Sequence, residues 1–150
     1  MLLAAHSLAG AAVGEAIGNL FYAFLAGFVV HFLLDAIPHY DTTDNGKYTI
    51  RQILLVTIDG MIALTLLAVL YFHYPVHRAG FVAGAIGGVL PDVLSIIPPV
   101  KKFMMRFAFG RHLQQFHERI QFLDLEILPG LAVQIVVWLL CIYLILNIAL

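Results

Sequence analysis

Charge is the scarcest feature of this sequence. Asp, Glu, Lys and Arg make up 11% of its 150 residues, against about 25% in soluble domains. Hydrophobic residues fill 62%, against about 45–50%, and mean hydropathy is +0.96. That inventory cannot wrap a core in a water-facing surface, so a soluble globular domain is excluded and the bilayer is the expected solvent. A basic excess is missing too. Eight Lys+Arg against nine Asp+Glu give a formal net charge of −1, which leaves no basic face for nucleic acid. Cysteine is nearly absent: Cys141 stands alone in an apolar run and excludes a disulfide scaffold.

What the chain does have is apolar runs of membrane-crossing length. About 20 such residues span a hydrocarbon core of about 30 Å, and the candidate stretches are 2–18, 19–37, 50–72, 78–97 and 126–148. No basic region precedes the first, and His6 and Glu15 lie inside it, so it reads as a retained helix rather than a signal peptide. Gly18-Asn19 predicts a tight hairpin, the polar run from His39 to Lys47 a loop, and Pro75 the end of the third helix. The segment 100–125 after Pro98-Pro99 is amphipathic and basic, which predicts an interfacial helix. The expected fold is all-α: one polytopic integral membrane helical bundle over 1–150, with about five transmembrane helices and one cytoplasmic amphipathic interfacial helix.

Alternating spans put the N-terminus, the 38–49 loop and the 98–125 segment on one side. That side carries Lys47, Arg51, Lys101, Lys102, Arg106, Arg111 and Arg119, seven of the eight basic residues, with Arg78 opposite. By the positive-inside rule the protein is expected in the cell's inner (cytoplasmic) membrane, N-terminus in the cytoplasm and C-terminus outside, with lipid as its surroundings.

Ionisable groups within spans cost about 2.5–3.5 kcal/mol each at the helix centre, so each needs a reason. His6 lies near the start of helix 1, His31 and Asp35 near the end of helix 2, Asp59 early in helix 3 and Asp92 near the end of helix 4. The alternation places all five in the cytoplasmic half, with His39, Asp41, His117 and Glu118 in the loops beside them. Residues four apart share a helix face. Ala23, Gly27, His31 and Asp35 form one such stripe; Gly80, Gly84, Gly88 and Asp92 form another; His6, Gly10, Gly14 and Gly18 form a third. Small residues admit close backbone approach, and each stripe carries an ionisable group at its cytoplasmic end. Ala26-Gly27-x7-Asp35 recurs 57 residues on as Ala83-Gly84-x7-Asp92, a hint of repeated helix pairs.

His31 and Asp35 on one face read either as two metal ligands or as a hydrogen-bonded pair that satisfies itself. With His6, Asp92 and His39 at the same depth, the layer supplies three to five N and O donors, a set suited to a divalent first-row metal ion, zinc foremost. Structural zinc contributes about 10–16 kcal/mol in small peptides, enough to offset three buried carboxylates. Asp59 reads as a ligand, as a group orienting a ligating His, or as a partner of Thr57 or Thr65. In the interfacial helix Leu113, Phe116, His117, Ile120 and Asp124 share a face, so His117 is expected to cap the site. Glu118 is a candidate general base if it reaches an activated water. The alternative is a helix anchored to anionic lipid by Lys101, Lys102, Arg106 and Arg111. His73 and His77 flank Pro75 among aromatic residues and read as an interface belt.

At His6-Ser-Leu-Ala-Gly10, His31-x3-Asp35 and Leu90-Pro-Asp92 the sequence resembles the membrane-bound metal-dependent hydrolases over about residues 1–97. Pro91-Asp92 continues into Val-Leu-Ser rather than x-Asp-His, the family's His-Arg-Gly-x-Thr-His stretch is absent, and the motif order differs. The resemblance implies a divalent-metal site, with hydrolysis of a phosphoester or lipid head group as the expected activity. His6, His31, Asp35 and Asp92 are the expected ligands, with Asp59 as a ligand or supporting group, and His39, His117 or Glu118 as acid/base groups. The competing expectations are a proton or metal-ion transporter or channel built on the same groups, and a non-catalytic membrane protein in which the layer fixes packing.

Overall fold

The computed structural model describes residues 2–40, 49–74, 76–121 and 125–148. Expectations for Asp41, Lys47, Pro75 and Asp124 lie outside the described residues. The fold is all-α. Among the described residues there are seven helices: α1 Leu3–Ile17, α2 Leu20–Asp35, α3 Ile50–His73, α4 Arg78–Ile96, α5 Pro98–Met104, α6 Ala108–Ile120 and α7 Ile127–Ile148. By length and composition α3, α4 and α7 can each cross a membrane.

Local chemistry sets the helix ends. Gly18, at φ 70°, terminates α1 and returns its N–H to the Gly14 carbonyl, a left-handed position that suits a residue without Cβ. Asn19 then caps α2, its side chain accepting from the N–H groups of Phe21 and Tyr22. The two helices are therefore shorter than the expected spans: 15 and 16 residues, about 22 and 24 Å. Thr49 and Gln52 form a capping box at the start of α3. The expected single helix after Pro98-Pro99 is two, α5 and α6, with Met105–Phe107 between them.

α1 is the central element, with eleven of its fifteen residues buried. Its glycine stripe runs antiparallel to that of α4: Gly10 meets Gly84, Gly14 meets Gly80, and Gly88 meets the His6 carbonyl. α2 runs parallel to α4 in the register of the sequence repeat, with Gly27 against Gly84 and His31 against Gly88. Helix backbones touch where side chains would otherwise hold them apart. Leu8, Ala11, Leu70, Phe81, Cys141 and Ile145 fill the remaining core between α1, α3, α4 and α7. Large apolar side chains such as Leu64 on α3 and Leu128 on α7 face outward, as a lipid-facing surface requires.

Two buried carboxylates sit at helix starts, where unpaired N–H groups and the helix dipole favour negative charge. Asp59 of α3 accepts the Ala4 N–H at 3.0 Å, while Gln134 of α7 accepts that of Leu2 at 3.1 Å. Glu15 accepts the N–H groups of Val76 and His77 at 2.7 and 2.8 Å, just ahead of α4. Asp59→Asn keeps an acceptor but exchanges a charged hydrogen bond for a neutral one, so it is expected to cost about 1 kcal/mol. Thermal melting in detergent checks the loss, and an unchanged metal content would set Asp59 apart from the centre described next.

Candidate metal centre

Three imidazoles and two carboxylates converge at one end of the bundle. α1 supplies His6, α2 supplies His31 and Asp35, α4 supplies Asp92 and α6 supplies His117. The glycine contacts bring this about: once Gly88 lies on the His6 carbonyl and Gly27 on Gly84, the ionisable residues at the ends of three stripes must meet. His117 then closes the group from α6.

Asp35 is the hub. Its Oδ1 lies 3.1 Å from Nε2 of His6, and its Oδ2 lies 3.0 Å from Nε2 of His31 and 2.8 Å from Nε2 of His117. Asp92 stands farther back, 3.7–3.9 Å from the same three nitrogens. The side chains of His6, His31 and Asp35 are fully buried, while that of Asp92 is 9% exposed. Among the described residues imidazoles pair with both carboxylates, and no described lysine or arginine lies within 4.0 Å of either.

Hydrogen placement shows what this arrangement suits. Nδ1 of His31 donates to the Gly88 carbonyl at 2.7 Å, because a carbonyl oxygen can only accept. Neutral His31 therefore turns the lone pair of Nε2 toward Asp35 and toward Nε2 of His117, 3.3 Å away. His117 takes the other tautomer: Nε2, 2.8 Å from Oδ2 of Asp35, donates to that carboxylate, and Nδ1 accepts from Ser95 Oγ at 3.0 Å. Nε2 of His6 is close to Asp35 yet has no hydrogen bond. The His31 lone pair faces a buried carboxylate, and a cation between them, taking the place of the His117 Nε2 proton, would turn that repulsion into coordination.

The spacing agrees. Donors about 2.1 Å from one ion stand about 3.0 Å apart at neighbouring octahedral positions and about 3.4 Å apart in a tetrahedron. The nitrogen–oxygen contacts here run from 2.8 to 3.9 Å, and the donors of His6, His31 and Asp35, like those of His31, Asp92 and His117, lie within 4.8 Å of one another. Two carboxylates balance a divalent charge, and a three-nitrogen, two-oxygen donor set is of the kind zinc takes.

The other candidate residues fall elsewhere. Asp59 caps α1 rather than joining the five. Its neighbours Thr57 and Thr65 bond to the carbonyls of Ile53 and Met61. His39 is buried with Nδ1 donating to the Ile37 carbonyl at 2.7 Å, and it is not one of the five. Glu118 points away from His117 onto the exposed side of α6, where it accepts from Gln114 at 2.9 Å. Sequence reasoning missed Ser95 and the Gly88 carbonyl, both of which orient imidazoles. The one available signal for Ser95 is its position one turn beyond Asp92, on the same polar end of α4. Comparison with family models, with curated proteins and with solved structures finds no match to this chain.

Proposed function

We propose that this chain is a metal-dependent hydrolase of the inner membrane, related to the membrane-bound metal-dependent hydrolases, that cleaves a phosphoester or lipid head group. α3, α4 and α7 cross the bilayer with the short α1–α2 hairpin packed among them as the remaining two spans, and α5–α6 lies at the cytoplasmic interface. The basic residues Lys101, Lys102, Arg106 and Arg111 fall on that interfacial segment, in keeping with the positive-inside rule. The observation that carries the reading is the His31 tautomer, which directs a lone pair at a carboxylate already shared by two other imidazoles.

His6, His31, His117 and Asp35 would hold the ion. A divalent cation there supplies Lewis acidity, which makes water nucleophilic near neutral pH. The Gly88 carbonyl holds His31 in the required tautomer, and Ser95 orients the His117 ring. Asp92 stands back from the nitrogens, the placement of a base that takes up the proton water loses. The relay reading draws less support: Glu15, at the far end of α1, spends Oε1 on two backbone N–H groups rather than continuing a proton path.

Elemental analysis of the purified protein tests this. About one equivalent of zinc or another first-row metal per chain is expected, and less than about a tenth would overturn the reading. Asp92→Asn is expected to retain the metal and to cleave bis(p-nitrophenyl) phosphate about 100-fold more slowly. Wild-type rates in that variant would remove Asp92 from the role of base.

A further inference from the structure

Both carboxylates of the centre divide their oxygens in the same way. Oδ1 of Asp35 lies 3.1 Å from Nε2 of His6, while its Oδ2 lies 3.0 and 2.8 Å from Nε2 of His31 and His117. Asp92 repeats the division at longer range, with Oδ2 3.9 Å from His6 and Oδ1 3.8 and 3.7 Å from the other two. His31, His117 and Oδ2 of Asp35 stand 2.8–3.3 Å apart, close enough to share one ion without His6. His6 is fully buried, and neither of its ring nitrogens has a hydrogen bond. A buried imidazole in that state costs free energy until something meets its lone pair. Its ring stacks on that of His31, with centroids 3.9 Å apart and planes 26° from parallel. Lone pairs on rings so stacked run side by side instead of converging, and an imidazole binds a metal in its own plane. The stacking distance matches the spacing of ions in two-metal sites, about 3.5–4 Å.

We infer that the centre takes two divalent cations, the second held by Nε2 of His6 and Oδ1 of Asp35 with Oδ2 of Asp92 behind them, so that Asp35 bridges the pair. This rests on the proposed hydrolase reading and deepens it: the first ion keeps His31, His117 and Oδ2 of Asp35, and His6 passes to the second once metal is in excess. The second ion binds more weakly, for two reasons. Two carboxylates balance only one divalent charge, so the added charge meets repulsion across a short distance. It also has one imidazole where the first has two, and water completes its coordination, the open arrangement of a catalytic ion. An oxygen-rich set of that kind suits manganese or magnesium as well as zinc. Paired ions supply a clamp on the attacking and leaving oxygens of a phosphoester, which favours that substrate class over other hydrolysable bonds.

The test titrates metal-depleted protein in detergent with manganese(II), counting free ion by electron paramagnetic resonance and reading the bound species from the same spectra. Wild type is expected to bind about two ions per chain, the second at least about tenfold more weakly. The second equivalent should replace the isolated-ion spectrum by that of an exchange-coupled pair, with its hyperfine spacing halved. His6→Phe keeps a ring on His31 but offers no donor, so it should bind about one ion and retain the isolated-ion spectrum. Wild type alone decides the matter if that variant does not fold. Saturation of wild type at about one ion per chain would overturn the inference. So would a second ion without coupling to the first, or a coupled pair in His6→Phe. Each of these results leaves the hydrolase reading standing, since it asks for a single equivalent. A chain that holds neither manganese nor zinc removes that reading, and the pair with it.

Discussion

Asp35→Ala is expected, on the proposed reading, to lower bound metal from about one equivalent per chain to less than about a tenth and hydrolysis by more than about 10⁴-fold. Asp35 is the group on which the centre turns, its two oxygens reaching Nε2 of His6, His31 and His117 at 3.1, 3.0 and 2.8 Å. Removing it takes away a ligand and half of the negative charge that balances a divalent ion. Asp92 cannot replace it, because it stands 3.7–3.9 Å from the same nitrogens. His31→Ala should empty the centre as well, since the lone pair that the Gly88 carbonyl directs at Asp35 goes with it. His77→Ala should leave metal content unchanged, its ring being more than half exposed beside Glu15 at the other end of the bundle.

Stability supplies an independent readout. If the ion holds α1, α2, α4 and α6 together, a chelator will lower the melting temperature of wild type and leave that of Asp35→Ala where it is. A full equivalent of metal in Asp35→Ala, or chelator sensitivity equal to that of wild type, would show that the carboxylate is not a ligand.

The sequence makes parts of this centre legible for a specific reason. His31 and Asp35 are four residues apart, so helix geometry alone puts them on one face, and their donors lie 3.0 Å apart. His6 and Asp92 are linked to that pair only through depth, deduced from the alternation of apolar runs, and through glycine stripes of matching length. Depth carries no azimuth. Asp59 lies at the right depth on α3 but faces the start of α1, where it accepts the Ala4 N–H. Glu118 shows the same limit: neighbouring residues on a helix point about 100° apart, so His117 turns inward and Glu118 outward. Hydropathy likewise counts apolar residues without seeing where a helix stops. Gly18 and Asn19 end α1 and start α2, and the two are shorter than the apolar runs that contain them. The all-α architecture itself follows from composition, since a chain this poor in charge has few ways to satisfy its backbone in lipid other than helices.

Gly84→Ala is expected to destabilise the protein by more than about 3 kcal/mol and to weaken metal binding, although the residue lies more than two turns from Asp92. A Cβ at position 84 would overlap the Gly10 carbonyl and press on the Gly14 Cα of α1, and both partners are backbone that cannot rotate away. From the other side the Gly27 Cα of α2 rests on the same glycine, so α4 has no free direction in which to yield. Separating α1 from α4 draws His6 away from Asp92, while tilting α4 against α2 strains the His31 bond to the Gly88 carbonyl. The same substitution at Gly60 should have the opposite sign. A Cβ there meets nothing within 4 Å, and alanine is the better helix former by about 1 kcal/mol. Melting temperature and metal content measured on the two variants together separate close backbone packing from helix propensity. Equal effects at positions 60 and 84 would mean that the glycine stripe does not hold the helices in contact, and that the donors converge for some other reason.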